Sequence, residues 1–301
     1  MWAPEWDNRW LPYFKAELSN KYDLIYTDST NRVELIRLSQ GKDLFISMWA
    51  QGTINFWADS FPGVPIISYV RRYELFEPSL LNGLAWNKLS ALIFVNDYLR
   101  DMFVRSVPNQ PKRIYTIYNA IDLDNFSQVK GATGDHTKIA VVCKASYIKN
   151  LPLAILILTM LPENYTMHHL GSTALRGQAE LMLYADGLGV GKRLIWNTHI
   201  PSEKVNDWLV DKDFILSTSI NEGNPNNVLE GMAMGLKPIV HAWPGADTQF
   251  PEDAIFKTAE QAAQLIMNGD YQPLKYRQWI KDHYSLDNIK MIHKVIEDVM
   301  K

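Results

Sequence analysis

The chain has 301 residues, of which 47% are hydrophobic and 21% charged, with a formal net charge of −3. That length fits two ordinary domains, each able to bury a core, and the composition is that of a globular chain, not a disordered one. The slightly acidic balance offers no footprint for a polyanion, which argues against DNA or RNA as the main partner. The single cysteine, Cys143, has no intrachain partner and is expected as a buried core thiol in a reducing compartment. No apolar run approaches a membrane span and no signal peptide precedes the first helix, so the expected location is cytoplasmic.

Met1–Trp10 carries no glycine and no strand pattern. Trp2, Trp6 and Trp10 recur every four residues, and Tyr13 and Phe14 continue them, which is the spacing of one helical face packed on a core. A sugar-stacking platform or a membrane contact are the other readings of that stripe. The mixed charges of Glu5, Asp7, Arg9, Lys15 and Glu17 weigh against membrane docking, and membrane association is expected to be at most peripheral. Beyond it, short apolar runs alternate with helical patterns. Strands are expected at Leu24–Thr27, Leu44–Ser47, Pro65–Val70, Ala91–Val95 and Ile114–Ile117, then at Lys138–Cys143, Tyr165–Leu170, Arg193–Trp196, Phe214–Ser217 and Pro238–His241.

Between the two sets lies Asp124–Thr137, polar and carrying Gly131 and Gly134, the expected linker. The pattern predicts an α/β chain of two Rossmann-like, doubly wound domains facing across a cleft, with ligands at the carboxyl ends of the strands. Residues 1–128 form the expected first domain, its opening strand missing or replaced, and 129–284 the second. Residues 285–301 form an amphipathic helix with Leu286, Ile289, Ile292, Val295, Ile296 and Val299 on its apolar face.

Chemistry concentrates after the strands. Strand Phe214–Leu216 leads into the loop Glu222-Gly223-Asn224-Pro225-Asn226 and then a helix starting near Asn226 or Asn227 and ending about Met234. Such a turn aims backbone N–H groups and the positive end of a helix dipole at a phosphate or a sugar hydroxyl. Glu222 and Glu230 then grip different parts of one ligand or are merely solvated. Lys144 and Lys149 flank the turn after the strand ending at Cys143, which suits a diphosphate, although a lysine at a strand end is often only a solvated charge.

Arg71-Arg72 follows strand Pro65–Val70, where an arginine suits a phosphate or an anionic acceptor and otherwise reads as a surface pair. Asp211-Lys212-Asp213 precedes a strand, away from the ligand-binding ends, and reads as a solvated turn. His168 and His169 alternate along a strand and read as structural.

Taken together, Glu222, Glu230, the Gly after the first and Met-Ala-x-Gly-x-x-Pro after the second resemble the signature of the retaining family-4 glycosyltransferases, which have the GT-B architecture. Tyr118-Asn119-Ala120-Ile121-Asp122-Leu123-Asp124-Asn125-Phe126 looks like the family's hinge segment, with Ala120 in place of its glycine. Gly171-Ser172 resembles another family turn, and Pro244–Asp247 its Gly-Gly-x-x-Glu loop, with Asp247 for the glutamate. The resemblance runs from about Asp23 to near the C-terminus.

The resemblance implies a hexosyltransferase-type enzyme that moves a sugar, with retention, from a nucleotide diphosphate sugar to a glycan, lipid-linked or small-molecule acceptor, as in polysaccharide biosynthesis. Lys144 and Lys149 then hold the diphosphate, Glu230 the ribose and Glu222 the transferred sugar. The backbone of Gly223, Asn224, Pro225, Asn226 and Asn227 lies against sugar or phosphates, Gly171 forms part of the donor pocket, and His199 lies near the base. Arg71 stands where many members carry a histidine close to the reacting sugar. The donor is expected to be UDP- or GDP-linked, with no metal and no other cofactor. The terminal helix often crosses back to the first domain in this family. A nucleotide-sugar epimerase of the same fold, and a non-catalytic scaffold, are the alternative readings, and the oligomeric state is not legible.

Overall fold

The computed structural model describes residues 1–4, 10–127, 129, 131, 134–172, 175–268 and 270–301; Trp6 of the aromatic stripe, and Gln128, Lys130, Ala132 and Thr133 of the expected linker, lie outside them. The chain divides into two compact units, one of residues 1–120 with 286–301 and one of residues 121–285.

The first unit holds a parallel sheet of β1 (Phe45–Ser47), β2 (Ile66–Val70), β3 (Ala91–Phe94) and β4 (Ile114–Thr116), in that order. β2 and β3 are buried along their whole length, which is why β3 reads as an unbroken apolar run and β2 as one interrupted only at Ser68, and neither alternates. The helix Asp287–Met300 belongs to this unit. Its buried Ile289, Ile292, Val295 and Ile296 pack with Leu11, Phe14 and Leu18 of helix Leu11–Ser19 and with Tyr69 and Ile93 of the sheet. At the rim of that interface, His293 Nε2 lies 2.8 Å from Glu17 Oε1 and Lys21 Nζ lies 2.9 Å from Glu297 Oε1.

The start of the chain departs from the expectation. Trp2 is not on a helix, since the first helix begins at Leu11. It forms isolated parallel bridges to Thr27 and Ser47, its N–H donates to Ile46 O at 2.8 Å, and its ring is buried with Leu35, Phe45 and Ala50. The bridged segment sits beside β1 where an opening strand would pair. Leu24–Thr27, expected as a strand, contributes only the bridge at Thr27.

Among its described residues the second unit has six parallel strands: β5 (Lys138–Val142), β6 (Thr166–Leu170), β7 (Leu194–Asn197), β8 (Phe214–Ser217), β9 (Lys237–His241) and β10 (Ile255–Phe256). Their order is β10-β9-β8-β5-β6-β7. From β5 the chain builds outward through β6 and β7, then returns to place β8 on the opposite side of β5. The strand order therefore reverses between β5 and β8, and in open α/β sheets such a reversal point is where ligands bind, beyond the carboxyl ends of the strands. β10, two residues long, is too short to leave a sequence pattern.

The segment read as the start of the linker is part of this unit. Leu123–Phe126 forms a 3-10 turn clamped by Arg277, whose guanidinium donates to the carbonyls of Leu123 at 3.0 Å, Phe126 at 2.5 Å and Ala233 at 2.6 Å. The Asp211-Lys212-Asp213 triplet is not a solvated turn. Asp213 is buried and accepts hydrogen bonds from the N–H groups of Thr137 at 2.9 Å and Lys138 at 2.8 Å, anchoring the start of β5, and Lys212 is buried with its Nζ donating to Trp208 O at 3.1 Å.

Candidate functional site

At the reversal point two loops are stitched together. After β5 the chain turns through Tyr147–Lys149 and enters helix Leu151–Thr159 by way of Asn150, held in the left-handed region at φ 47°. After β8, the Ile220 N–H donates to Ile148 O at 2.9 Å and the Thr218 hydroxyl to Lys149 O at 2.8 Å. These bonds fix the Lys149 backbone against the β8 loop. The Lys149 ammonium then meets Glu222 Oε1, and the Ser219 hydroxyl donates to the same oxygen at 2.7 Å. Both contacts fall on Oε1. The Lys149 side chain is 24% exposed and that of Glu222 10%, so the pair is held at the edge of solvent.

The loop Gly223–Pro225 is buried and leads into helix Asn226–Ala233. Pro225 is its N-cap, in extended conformation, and supplies no side-chain acceptor, so the helix N-terminus keeps its positive character at the carboxyl end of β8. This helix lies close on the sheet, since a Cβ at Gly231 would stand 2.7 Å from the Ile215 side chain. Asn224 Nδ2 donates to Gln249 Oε1 and Asn227 Nδ2 to Val142 O, both at 2.8 Å, so these two side chains brace the loop and the end of β5. Gln249 Nε2 in turn donates to Gly245 O at 3.1 Å, which brings the Pro244–Asp247 loop to the same wall.

Gly171 completes the other wall. Its φ is +149°, and a Cβ there would stand 2.1 Å from Cys143 O, so only glycine lets the end of β6 approach the end of β5 this closely. His169 Nε2 donates to that same carbonyl at 3.0 Å, and burial lowers the ring to about 4, so it stays neutral at pH 7. Cys143 lies just past β5, partly buried and not within the strand as expected, and burial pushes its thiol up to about 12.

The structure thus gathers Lys149, Glu222, Gly223, Asn224, Pro225, Asn226, Asn227 and Gly171 at the ends of β5, β6 and β8. Glu230 sits half-buried on the same helix, a little over one turn in. Lys144 and His199 are exposed beyond the ends of β5 and β7. Arg71 belongs to the other unit. There it is the N-cap of helix Arg72–Phe76, 8% exposed, with its Nη1 donating to Asn119 Oδ1 at 3.0 Å. The expected surface pair is therefore split: Arg71 is buried and Arg72 is not.

Three residues of these clusters escaped the sequence reading. Ser219 has no motif of its own, and only its placement three residues before Glu222 after a strand hinted at a role. Asn119 lay in the hinge-like segment without a partner to suggest itself. Glu74 is fully buried and bridges two strand ends, its Oε1 accepting from the Ala50 N–H and its Oε2 from the Arg71 N–H, both at 3.0 Å. The spacing of Arg71 to Glu74, N-cap to third helical position, was its available signal.

No protein-family model matches the sequence, and no curated protein matches it. Solved structures do. The chain is similar to Anabaena Alr3699/HepE in complex with UDP, with a TM-score of 0.74 and 14% identity over 89% of this chain and 82% of that one. It is similar to sucrose-phosphate synthase from Thermosynechococcus elongatus, with a TM-score of 0.73 and 12% identity over 89% and 76% of the two chains. A glycosyltransferase from Rickettsia africae aligns with a TM-score of 0.70 and 14% identity, covering 95% and 88%. These likenesses establish the fold, which is that of the GT-B glycosyltransferases.

Proposed function

We propose that the protein is a retaining glycosyltransferase of the family-4 kind, a hexosyltransferase that takes its sugar from a nucleotide diphosphate donor. The observation that carries this reading is the Lys149–Glu222 pair at the reversal of strand order, beside a helix N-terminus with no side-chain cap. A cation and a helix N-terminus suit a diphosphate, and a carboxylate with one oxygen already engaged suits a sugar hydroxyl on the other. Among the fold neighbours, Alr3699/HepE was solved with UDP and with UDP-glucose, which supports a UDP-linked donor here.

In this reading the second unit binds the donor. Lys149 and Lys144 take the charge that grows on the leaving diphosphate, assisted by the helix N-terminus, so that no metal is required there. Glu222 Oε2 accepts from the transferred sugar while Ser219 holds Oε1 in place, and Glu230 accepts from the ribose. Asn224 and Asn227 act through the backbone they brace. The acceptor is assigned to the first unit, and the leaving phosphate helps to remove its proton during same-face attack.

The test is thermal stability with UDP, GDP, ADP and CDP for wild type and Glu230→Ala, since a ligand that binds the folded state raises the midpoint. One nucleotide should raise the wild-type midpoint and leave Glu230→Ala unmoved. No shift in wild type with any of the four removes the donor assignment, and an inverted anomeric linkage in the product removes retention.

A further inference from the structure

Arg71 carries a charge that no carboxylate of the described residues meets in direct contact, although Glu74 lies near enough to feel it. It is 8% exposed, and an arginine cannot shed its proton to escape burial. Its Nη1 is met by the neutral Asn119 amide oxygen, and its guanidinium lies over the rings of Trp49 and Tyr69, at 5.5 and 5.3 Å. Among the described residues no carboxylate is in ion-pair contact with it, and its Nε–H has no acceptor. The Tyr69 hydroxyl, on the neighbouring ring, is also buried without a partner. Glu74, the nearby acid, has both oxygens engaged by the Ala50 and Arg71 backbone N–H groups, so it holds the Arg71 main chain and not the guanidinium.

Buried charges are ordinarily paired, because desolvation without a counter-charge is expensive. Two aromatic faces offset only part of that cost. A buried guanidinium whose Nε–H lacks an acceptor, packed on a ring whose own hydroxyl is unpartnered, is the chemistry of an oxyanion site lacking its oxyanion.

We propose that Arg71 is the centre of an oxyanion-binding site in the first unit, and that the anion is a phosphate or carboxylate of the sugar acceptor. That the anion belongs to an acceptor rests on the transferase reading above, whereas the anion site stands without it. An acceptor of this class is a sugar phosphate, a phosphate-linked carrier or an acidic glycan end, and not a neutral sugar.

The experiment is a titration of methyl phosphate and, separately, acetate at matched ionic strength, reading the thermal midpoint of wild type, Arg71→Gln, Arg71→Lys and Lys149→Ala. One of the two anions should raise the midpoint of wild type and of Lys149→Ala alike, and which one does so tells phosphate from carboxylate. Arg71→Gln should lose the response, its apparent affinity falling about tenfold or more. Arg71→Lys, which keeps the charge without the planar fork, should respond more weakly than wild type, so the test does not hang on one variant. A response that survives Arg71→Gln, or none in wild type, overturns the proposal. The UDP response and its loss in Glu230→Ala are read on the same proteins, so failure of the donor site and failure of the anion site are separate results.

Discussion

Lys149 and Glu222, whose sequence context suggests two different grips on a ligand, grip each other. Removing either partner strands the other, but not equally. Glu222 is the more buried of the two and would keep only the Ser219 hydroxyl. Lys149→Ala should therefore destabilise the protein by about 1–3 kcal/mol, and Glu222→Gln by less. A double-mutant cycle in urea should show a coupling of about 1 kcal/mol, and strict additivity would mean that the contact contributes nothing. The pair also competes with a ligand for the ammonium. UDP should bind Glu222→Gln at least as tightly as wild type and bind Lys149→Ala about tenfold more weakly or worse.

Gly171 makes a sharper prediction. Any side chain there meets Cys143 O and must also adopt a backbone conformation that suits glycine alone. Gly171→Ala should cost roughly 1–3 kcal/mol or more, and the end of β6 must move away from β5 to relieve the clash. Because β5 leads directly into the Lys149 turn, nucleotide binding should weaken along with the thermal midpoint. A variant with wild-type stability would show that the two strand ends separate freely.

Glu74 ties stability to pH. Burial above all pushes its carboxyl up to about 7, against an ordinary value of 4.5. Between those values the folded state keeps a proton that the unfolded state has released. Stability from this group is thus fully present below about pH 4.5 and falls as pH rises to about 7, by up to about 3 kcal/mol. His168 and His169 act in the opposite sense. Burial lowers both to about 4, so their contribution is lost as pH falls from about 6.5 toward 4. The wild-type profile also contains other shifted groups, among them the Met1 amino group that burial lowers to about 5, and the difference between wild type and Glu74→Gln isolates the carboxyl. Glu74→Gln carries a constant penalty, because its NH2 must face a backbone N–H, yet it should gain on wild type as pH rises from about 5 to 7. A difference independent of pH would mean that the Glu74 carboxyl is not shifted.

The sheets were legible because parallel strands leave short, mainly apolar runs between helical patterns, and the loops after β5 and β8 stood out by their motif residues. Their meeting was not legible. Lys149 and Glu222 are 73 residues apart, and only the strand order, with β8 beside β5, brings them into contact. Trp2 misled because a period of four among three tryptophans mimics a helix face, whereas a single bridging residue has no period at all. Asp213 read as solvated because its hydrogen-bond donors, Thr137 and Lys138, lie 75 or more residues away at the start of β5. The burial of Arg71 was hidden for a related reason: the groups that enclose it, Trp49 and Asn119, arrive from the ends of β1 and β4.

The helix Asp287–Met300 completes the core of a unit that otherwise consists, but for Leu286 and Lys301, of residues 1–120. During synthesis, residues 1–120 must therefore wait with the Phe14, Tyr69 and Ile93 face uncovered while 121–285, a contiguous unit, emerges and closes. The order of maturation is inverted relative to the order of translation, and the unit made first is the one that depends longest on protection from aggregation.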